Sequence, residues 1–168
     1  MGITWRFPTF RYNRRLYDGL SALSGMRLTL VSVGIPMSLI VQKYGGTSVG
    51  SIERIQNVAE KVISWRERGH QIVVVVSAMS GETDRLIGLA KEITSRPLPR
   101  ELDVMLSTGE QVTIALLCIA LGKRGCPARS YTGSQVRILT DNAFSKARIQ
   151  AIEADAIRSD LDSGKVVL

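Results

Sequence analysis

The sequence is short of the residues on which many chemistries depend. It has one histidine, His70, and two cysteines, Cys118 and Cys126, in 168 residues. Cys118 sits inside the apolar run IALLCIAL and reads as a small core residue, and Cys126 follows Gly125 at the end of that run. Such a pair makes neither a disulfide framework nor a zinc cluster, so no metal site is expected and a reducing, cytoplasmic setting is. His70, between Gly69 and an apolar run, reads as a solvated turn residue rather than a catalytic one. Aromatic residues make up only 5% of the chain, too few for the stacking platforms that hold single-stranded nucleic acid. No nucleic-acid motif is present, and no nucleic-acid partner is expected. The apolar stretch 28–41 is short and broken by Gly34 and Pro36, so no membrane span is expected there.

The net charge is +7, but its distribution is uneven. Residues 1–36 hold five arginines against Asp18 alone, which leaves the rest of the chain only mildly cationic. The 1–36 stretch has no steady period, and three readings fit it. Its basic-then-apolar order is that of a signal peptide, without a clear cleavage site. Its arginine-rich, acid-poor composition is that of an organellar transit peptide. The third reading, and the one preferred, is that Met37 is the true start, with 1–36 an unstructured extension or early-start artefact.

From residue 38 onward, strand and helix signals alternate. SLIVQKY is a short buried strand. Residues 51–68 place Ile52, Ile55, Ala59, Val62 and Trp65 on one helical stripe, with Ser51 as a cap and Gly69 as a stop. QIVVVVSA, β-branched and apolar on both faces, predicts a central parallel strand. ETDRLIGLAKEI predicts a helix over 82–93 with Leu86, Leu89, Ala90 and Ile93 inward. Residues 101–124 are helical in pattern, with a break expected at Ser107–Gly109 and a stop at Gly125. PARSYTG predicts a strand and turn, 136–150 a short β excursion, and ADAIRSDLDSG a helix before the apolar KVVL. The alternation implies an α/β fold with a largely parallel sheet. Because the sequence stops a few residues into a buried strand, a fragment of a larger domain is expected.

Ligands of open α/β sheets sit beyond the carboxyl ends of the strands, and three informative stretches fall there. KYGGTSVGS offers Lys43 and two adjacent glycines, Gly45 and Gly46, where backbone amides have room to meet an anion. Taken alone, such a turn is more often an ordinary turn than a site, and it lacks the spacing of a Walker A loop. SAMSGETD follows the second strand. Its hydroxyls, Ser77 and Thr83 among them, either face a carboxylate or, with Ser80 or Thr83, cap the next helix. STGEQVT puts Glu110 after a glycine. Glu110 is either a first-turn acid of the apolar helix or a carboxylate held ready for an ammonium group. TGSQ reads as a polar loop.

Taken together, KYGGTSVGSIERIQNVAEKV, VVVVSAMSGETDRL, ELDVMLSTGEQVTIALL and YTGSQVRILTD with KARI resemble the aspartate kinases of the amino-acid kinase family in order and spacing. The resemblance covers residues 38–168 and not 1–36. It implies a truncated three-layer α/β/α sandwich with a mainly parallel sheet, in which 37–168 is the N-terminal portion of the kinase domain. The nucleotide-binding half and the regulatory domains that follow in the family are absent.

The resemblance also implies an activity: transfer of the ATP γ-phosphoryl group to the side-chain carboxylate of L-aspartate. The product, 4-phospho-L-aspartate, feeds lysine, threonine and methionine synthesis. By similarity Lys43 is catalytic, and Lys43, Tyr44, Gly45 and Gly46 contact the ATP phosphates. Thr83 and Glu110 match aspartate-binding positions, with Ser77 and Ser48 close to the same site. ATP and L-aspartate are the implied partners, Mg2+ arrives with the nucleotide, and the parent enzyme is a homo-oligomer. The fragment alone is expected to be inactive. Two alternatives stand beside this reading: a family member acting on a different acid, and a non-catalytic remnant serving only as a binding module.

Overall fold

The computed structural model describes residues 38–168 and the backbone of residues 3–7. In chain order the elements are β1 (Ile3–Phe7), β2 (Leu39–Tyr44), α1 (Ile52–Glu67), β3 (Gln71–Val76), α2 (Glu82–Ile93), α3 (Pro99–Lys123), β4 (Ala128–Arg129), β5 (Ile138–Thr140), β6 (Ile149–Ile152), α4 (Asp155–Asp162) and β7 (Val166–Val167). The main sheet runs in the order β1-β2-β3-β7-β4. β2, β3, β7 and β4 are parallel, and β1 pairs antiparallel on the outer edge of β2. A strand therefore occupies part of the stretch expected to be unstructured. The rest of that expectation, and the targeting readings with it, lies outside the described residues.

Each helix is written into its sequence. Ser51 caps α1, its hydroxyl accepting a hydrogen bond from the Arg54 amide at 3.2 Å. Gly69 ends the helix at φ +86°, a conformation closed to most side chains. The inward stripe Ile55, Val58, Ala59 and Val62 buries against Ile40, Ile72, Val74 and Val76 of the sheet and Leu117 and Leu121 of α3. Each of the larger side chains in this core contributes about 1.5–3 kcal/mol by leaving water. Gln42, a buried polar residue in mid-strand, is satisfied by the Tyr44 hydroxyl, which donates to its Oε1 at 3.0 Å.

The layering is the expected α/β/α, but unevenly filled. α1 and α3 cover one face of the sheet, and α2 packs on α3. On the other face α4 touches β7 and β3, with Gln71 Nε2 donating to Asp162 Oδ1 at 3.0 Å. The open part of that face explains a departure at β3. Ile72, Val74 and Val76 are buried as foreseen, yet Val75, pointing the other way, is 47% exposed. Two further departures concern helices. In α2 only Leu86 is buried, while Leu89 and Ile93 face outward, Ile93 at 87% exposure. α3 is continuous through Ser107–Gly109, with Pro99 in its first turn, where no amide partner is needed.

By length and composition α3 is apolar enough to cross a membrane. One face of it packs, with Thr113, Leu117, Ala120 and Leu121 buried against the sheet and α1, while Val104, Val112 and Ile119 are exposed. His70 also departs from expectation. It is buried, accepts a hydrogen bond from the Ser38 amide at 3.4 Å, and lies beside the Trp65 ring.

Candidate functional site

The parallel pairing of β2 with β3 runs in register from Leu39 opposite Gln71 to Tyr44 opposite Val76. Both strands therefore deliver their following loops to the same edge, and Ser77 continues the ladder by donating its amide to the Tyr44 carbonyl at 3.1 Å. After Tyr44 the chain tightens into a single 3-10 turn over Gly46–Val49, closed by the Ser48 amide on the Gly45 carbonyl at 2.8 Å. The Arg54 guanidinium donates to the Thr47 carbonyl and holds that turn to α1.

Alternation along β2 separates two neighbours in the motif. Tyr44 points with Gln42 into the core, where burial pushes its phenol pKa up and its hydroxyl is committed to Gln42. Only its backbone is left for any contact at the strand end. Lys43 points to the half-open face, exposed and opposite Val75 in the register. Its Nζ lies back over the glycine turn, 3.7 Å from where a side-chain carbon on Gly45 would stand.

The loop after β3 is packed between that turn and α3. A Cβ on Gly46 would stand 2.8 Å from the Ala78 carbonyl oxygen, and one on Gly50 3.1 Å from the Ser80 Cβ. From the other side, a Cβ on Gly109 would stand 2.9 Å from the Ala78 Cβ. These glycines allow three chain segments to meet at van der Waals distance. Gly109 is thus a contact point within an unbroken helix, and the break expected there does not occur. Glu110 lies in the middle of α3 rather than in a first turn, and its Oε1 accepts a hydrogen bond from the Ala78 amide at 3.3 Å.

Neither proposed cap forms. The residue before α2 is Gly81, at φ +81°, and no side chain caps the helix. Ser80 instead packs on Gly50, and Thr83 stands exposed in the first turn. TGSQ is the self-contained loop foreseen, with the Thr132 amide donating to Gln135 Oε1 at 2.9 Å and the Thr132 and Ser134 hydroxyls bonded at 3.0 Å.

The structure thus brings together the lysine turn (Lys43, Gly45, Gly46, Ser48), the Ser77–Ser80 loop and Glu110. Thr83 stands exposed in the first turn of α2, and the Tyr44 side chain is turned away. Among the described residues, neither Lys43 nor Glu110 belongs to an ion pair, so a cation and an anion at this edge are both uncommitted to protein charge. Arg54, Ala78 and Gly109 were not foreseen. Their signal is faint in sequence, because an alanine or a glycine announces close packing only once its neighbour is known.

Two hollows help to locate the chemistry. One of about 420 Å³, lined by His70, Gln71, Asp162 and Lys165 among others, lies at the amino ends of β3 and β7, the wrong end of a parallel sheet for a reaction centre. Another of about 310 Å³ adjoins the lysine turn and α1, with Thr47, Ser48, Arg54, Asn57 and Lys61 around it. Among the described residues, no group of three histidine, cysteine or acidic side chains is placed to hold a metal ion.

A parallel-sheet α/β domain with a lysine–diglycine turn and a facing carboxylate at the strand ends defines a class. The sequence profile of the amino acid kinase family matches residues 38–168, and the chain belongs to that family. Within it, the chain is similar to aspartokinases. It is 69% identical over 132 residues to the aspartokinase of Pseudomonas aeruginosa and 52% identical to aspartokinase 2 of Bacillus subtilis. Each match covers 79% of this chain but 32% of the relative, so the chain spans about a third of the length of the curated relatives it matches. Among solved structures, aspartate kinase from Synechocystis superposes with a TM-score of 0.63 at 47% identity, covering 77% of this chain and 21% of that one. E. coli aspartokinase III in complex with aspartate and ADP superposes at 0.66, covering 77% of this chain and 39% of that one; at 22% identity it speaks for the fold alone.

Proposed function

We propose that this chain carries the acid-substrate side of an aspartate kinase site. In the whole enzyme that site would move the γ-phosphoryl group of ATP onto the side-chain carboxylate of L-aspartate, giving 4-phospho-L-aspartate for lysine, threonine and methionine synthesis. The observation that carries this reading is the convergence on Ala78 of the lysine–diglycine turn and Glu110, a cation and an anion at one strand edge that form no ion pair among the described residues. The similarity to aspartokinases supports the choice of substrate.

The chemistry asks little of the protein beyond charge and position. An aspartate carboxylate is ionised at neutral pH, so its oxygen attacks the γ-phosphorus without a general base. The bond from that phosphorus to the β–γ bridging oxygen breaks, and ADP leaves with the electron pair. Lys43 would offset the negative charge spreading over the phosphoryl oxygens, and the Gly45 and Gly46 amides would meet the phosphates. Glu110, fixed through one oxygen by the Ala78 amide, would turn the other to the substrate ammonium, selecting an amino acid over a plain dicarboxylate. Thr83, Ser77 and Ser48 would supply hydroxyls around the aspartate carboxylates. Mg2+ would arrive on the nucleotide phosphates.

A cytoplasmic location and a homo-oligomeric parent belong to the same reading. A family member with another acid substrate is the second reading, and SAMSGETDRL with STGEQVT favours aspartate over it. A non-catalytic remnant is the third. The test is an ATP- and aspartate-dependent hydroxamate assay on the 168-residue chain, paired with titration of the chain by L-aspartate and by succinate. Binding of aspartate but not succinate, without useful turnover, is expected. Normal turnover would refute the inactivity of the chain, and equal binding of the two acids would refute the role of Glu110.

A further inference from the structure

We infer that Ala78 is the positioning residue of this site, fixing the lysine turn relative to the Glu110 carboxylate. The inference rests on the proposed reading of the site as one for an amino-acid substrate. Three parts of this one buried residue are engaged, two by α3 and one by the lysine turn. Its amide donates to Glu110 Oε1 at 3.3 Å. Its Cβ fills the space that a side chain on Gly109 would need, at 2.9 Å. Its carbonyl oxygen does the same for Gly46, at 2.8 Å.

The separation between turn and carboxylate is therefore set by one residue, its methyl against Gly109 and its carbonyl oxygen against Gly46. Well-packed contacts of this kind do not absorb an added atom without displacement. A hydroxyl at position 78, or a methyl at 109, has to push α3 from the loop, and Glu110 moves with α3. A glycine at 78 removes the spacer and frees the loop backbone. In each case the Ala78–Glu110 hydrogen bond is the first contact to be lost. Lys43 stays where β2 holds it, so cation and anion fall out of their spacing.

The experiment compares the wild-type chain with Gly109→Ala, Ala78→Ser and Val62→Ala, the last a core truncation within α1. Amide hydrogen exchange is read at Ala78 and at Val74 and Val76 of β3, followed by titration with L-aspartate. Loss of one hydrogen bond predicts about tenfold faster exchange at Ala78, beyond any change at the β3 amides, in Gly109→Ala and Ala78→Ser. Aspartate affinity should fall by about the same factor in those variants. Val62→Ala should move all three amides together and leave aspartate affinity unchanged. Exchange at Ala78 that merely follows β3 in both site variants would overturn the positioning role. If the excess at Ala78 appears but wild type binds no aspartate, the positioning role stands and the substrate reading falls.

Discussion

Glu110 and Ala78 are joined by a single hydrogen bond, amide to carboxylate at 3.3 Å, across 32 residues of sequence. That bond ties the middle of α3 to the end of β3, and it separates two uses of one side chain. Glu110→Gln keeps an acceptor oxygen and should hold stability within about 0.5 kcal/mol of wild type. Glu110→Ala leaves the Ala78 amide without its partner and should cost about 1–3 kcal/mol. Both remove the charge, so both should abolish aspartate binding. Urea titration and an aspartate titration of the same samples distinguish the two effects.

Gly88 and Gly109 both lie inside helices, but in opposite surroundings. A Cβ at Gly88 would meet nothing within 4 Å, whereas at Gly109 it would collide with Ala78. Helix propensity alone favours alanine over glycine by about 1 kcal/mol at either position. Gly88→Ala should therefore stabilise the chain by up to about 1 kcal/mol. Gly109→Ala should destabilise it, since overpacking costs about 1–3 kcal/mol. Thermal unfolding of the pair reads the sign directly, and a gain in both would show that α3 has room to move.

Asp160 anchors α4 to the far side of the sheet. It accepts from Lys165 Nζ at 2.7 Å and from the Tyr131 hydroxyl at 2.6 Å. The Lys165 hydrogen bond, followed by that of Tyr131, holds its carboxyl below the usual aspartate value. A depressed acid contributes stability above its unfolded pKa of about 4 and loses it as pH falls through the lower folded value. Tyr131 is raised in turn by its bond to Asp160, so its contribution holds below about pH 10 and fades as pH rises through the folded value. Asp160→Asn should be less stable than wild type at neutral pH, and the gap should close as the pH is taken below about 4. Urea midpoints across pH 2–7, roughly the span of that titration, test it; a constant gap would place the Asp160 contribution outside its ionisation.

Ser51 is the one side chain that caps α1, and its hydroxyl meets the Arg54 amide at 3.2 Å. Ser51→Ala should cost about 1 kcal/mol and Ser51→Gly only a few tenths. Urea unfolding of the two variants tests it. Because α1 also holds the lysine turn through Arg54 and the Thr47 carbonyl, fraying should appear at the Ser48 amide before it reaches β2.

What could be read from the sequence was what lies along it. Ser51, Gly69 and Gly125 punctuate helices locally, and the stripe Ile55–Ala59–Val62 carries its own period, so α1 and both stops fall where expected. β2, β3 and the 82–93 helix were legible for the same reason. What lies across the chain was hidden. Glycine before Glu110 resembles a helix break until Ala78 is found 2.9 Å from its missing side chain. Four valines in a row imply a strand covered on both faces, and cannot tell that α4 covers only part of one. Tyr44 belongs to the phosphate motif by position, yet the alternation of β2 commits its ring to the core. Position 70 follows a helix-ending glycine, a turn-like setting, but β3 begins one residue later and draws His70 beside Trp65.

Lys43 is exposed, belongs to no ion pair among the described residues, and lies over Gly45 rather than in the core. Such a residue contributes little to folding, and Lys43→Ala should change stability by less than about 0.5 kcal/mol. Its expected effect is on anions. Inorganic tripolyphosphate, standing in for the nucleotide phosphates, should shift the Gly45 and Gly46 amides in wild type and not in Lys43→Ala, with the response weakening as salt is raised. Lys43→Arg keeps the charge but spreads it over a planar fork, so it should restore binding only in part. If Lys43→Ala binds tripolyphosphate as wild type does, the glycine turn is an ordinary turn, and the anion-binding role falls to the other cations near it, Arg54 and Lys61.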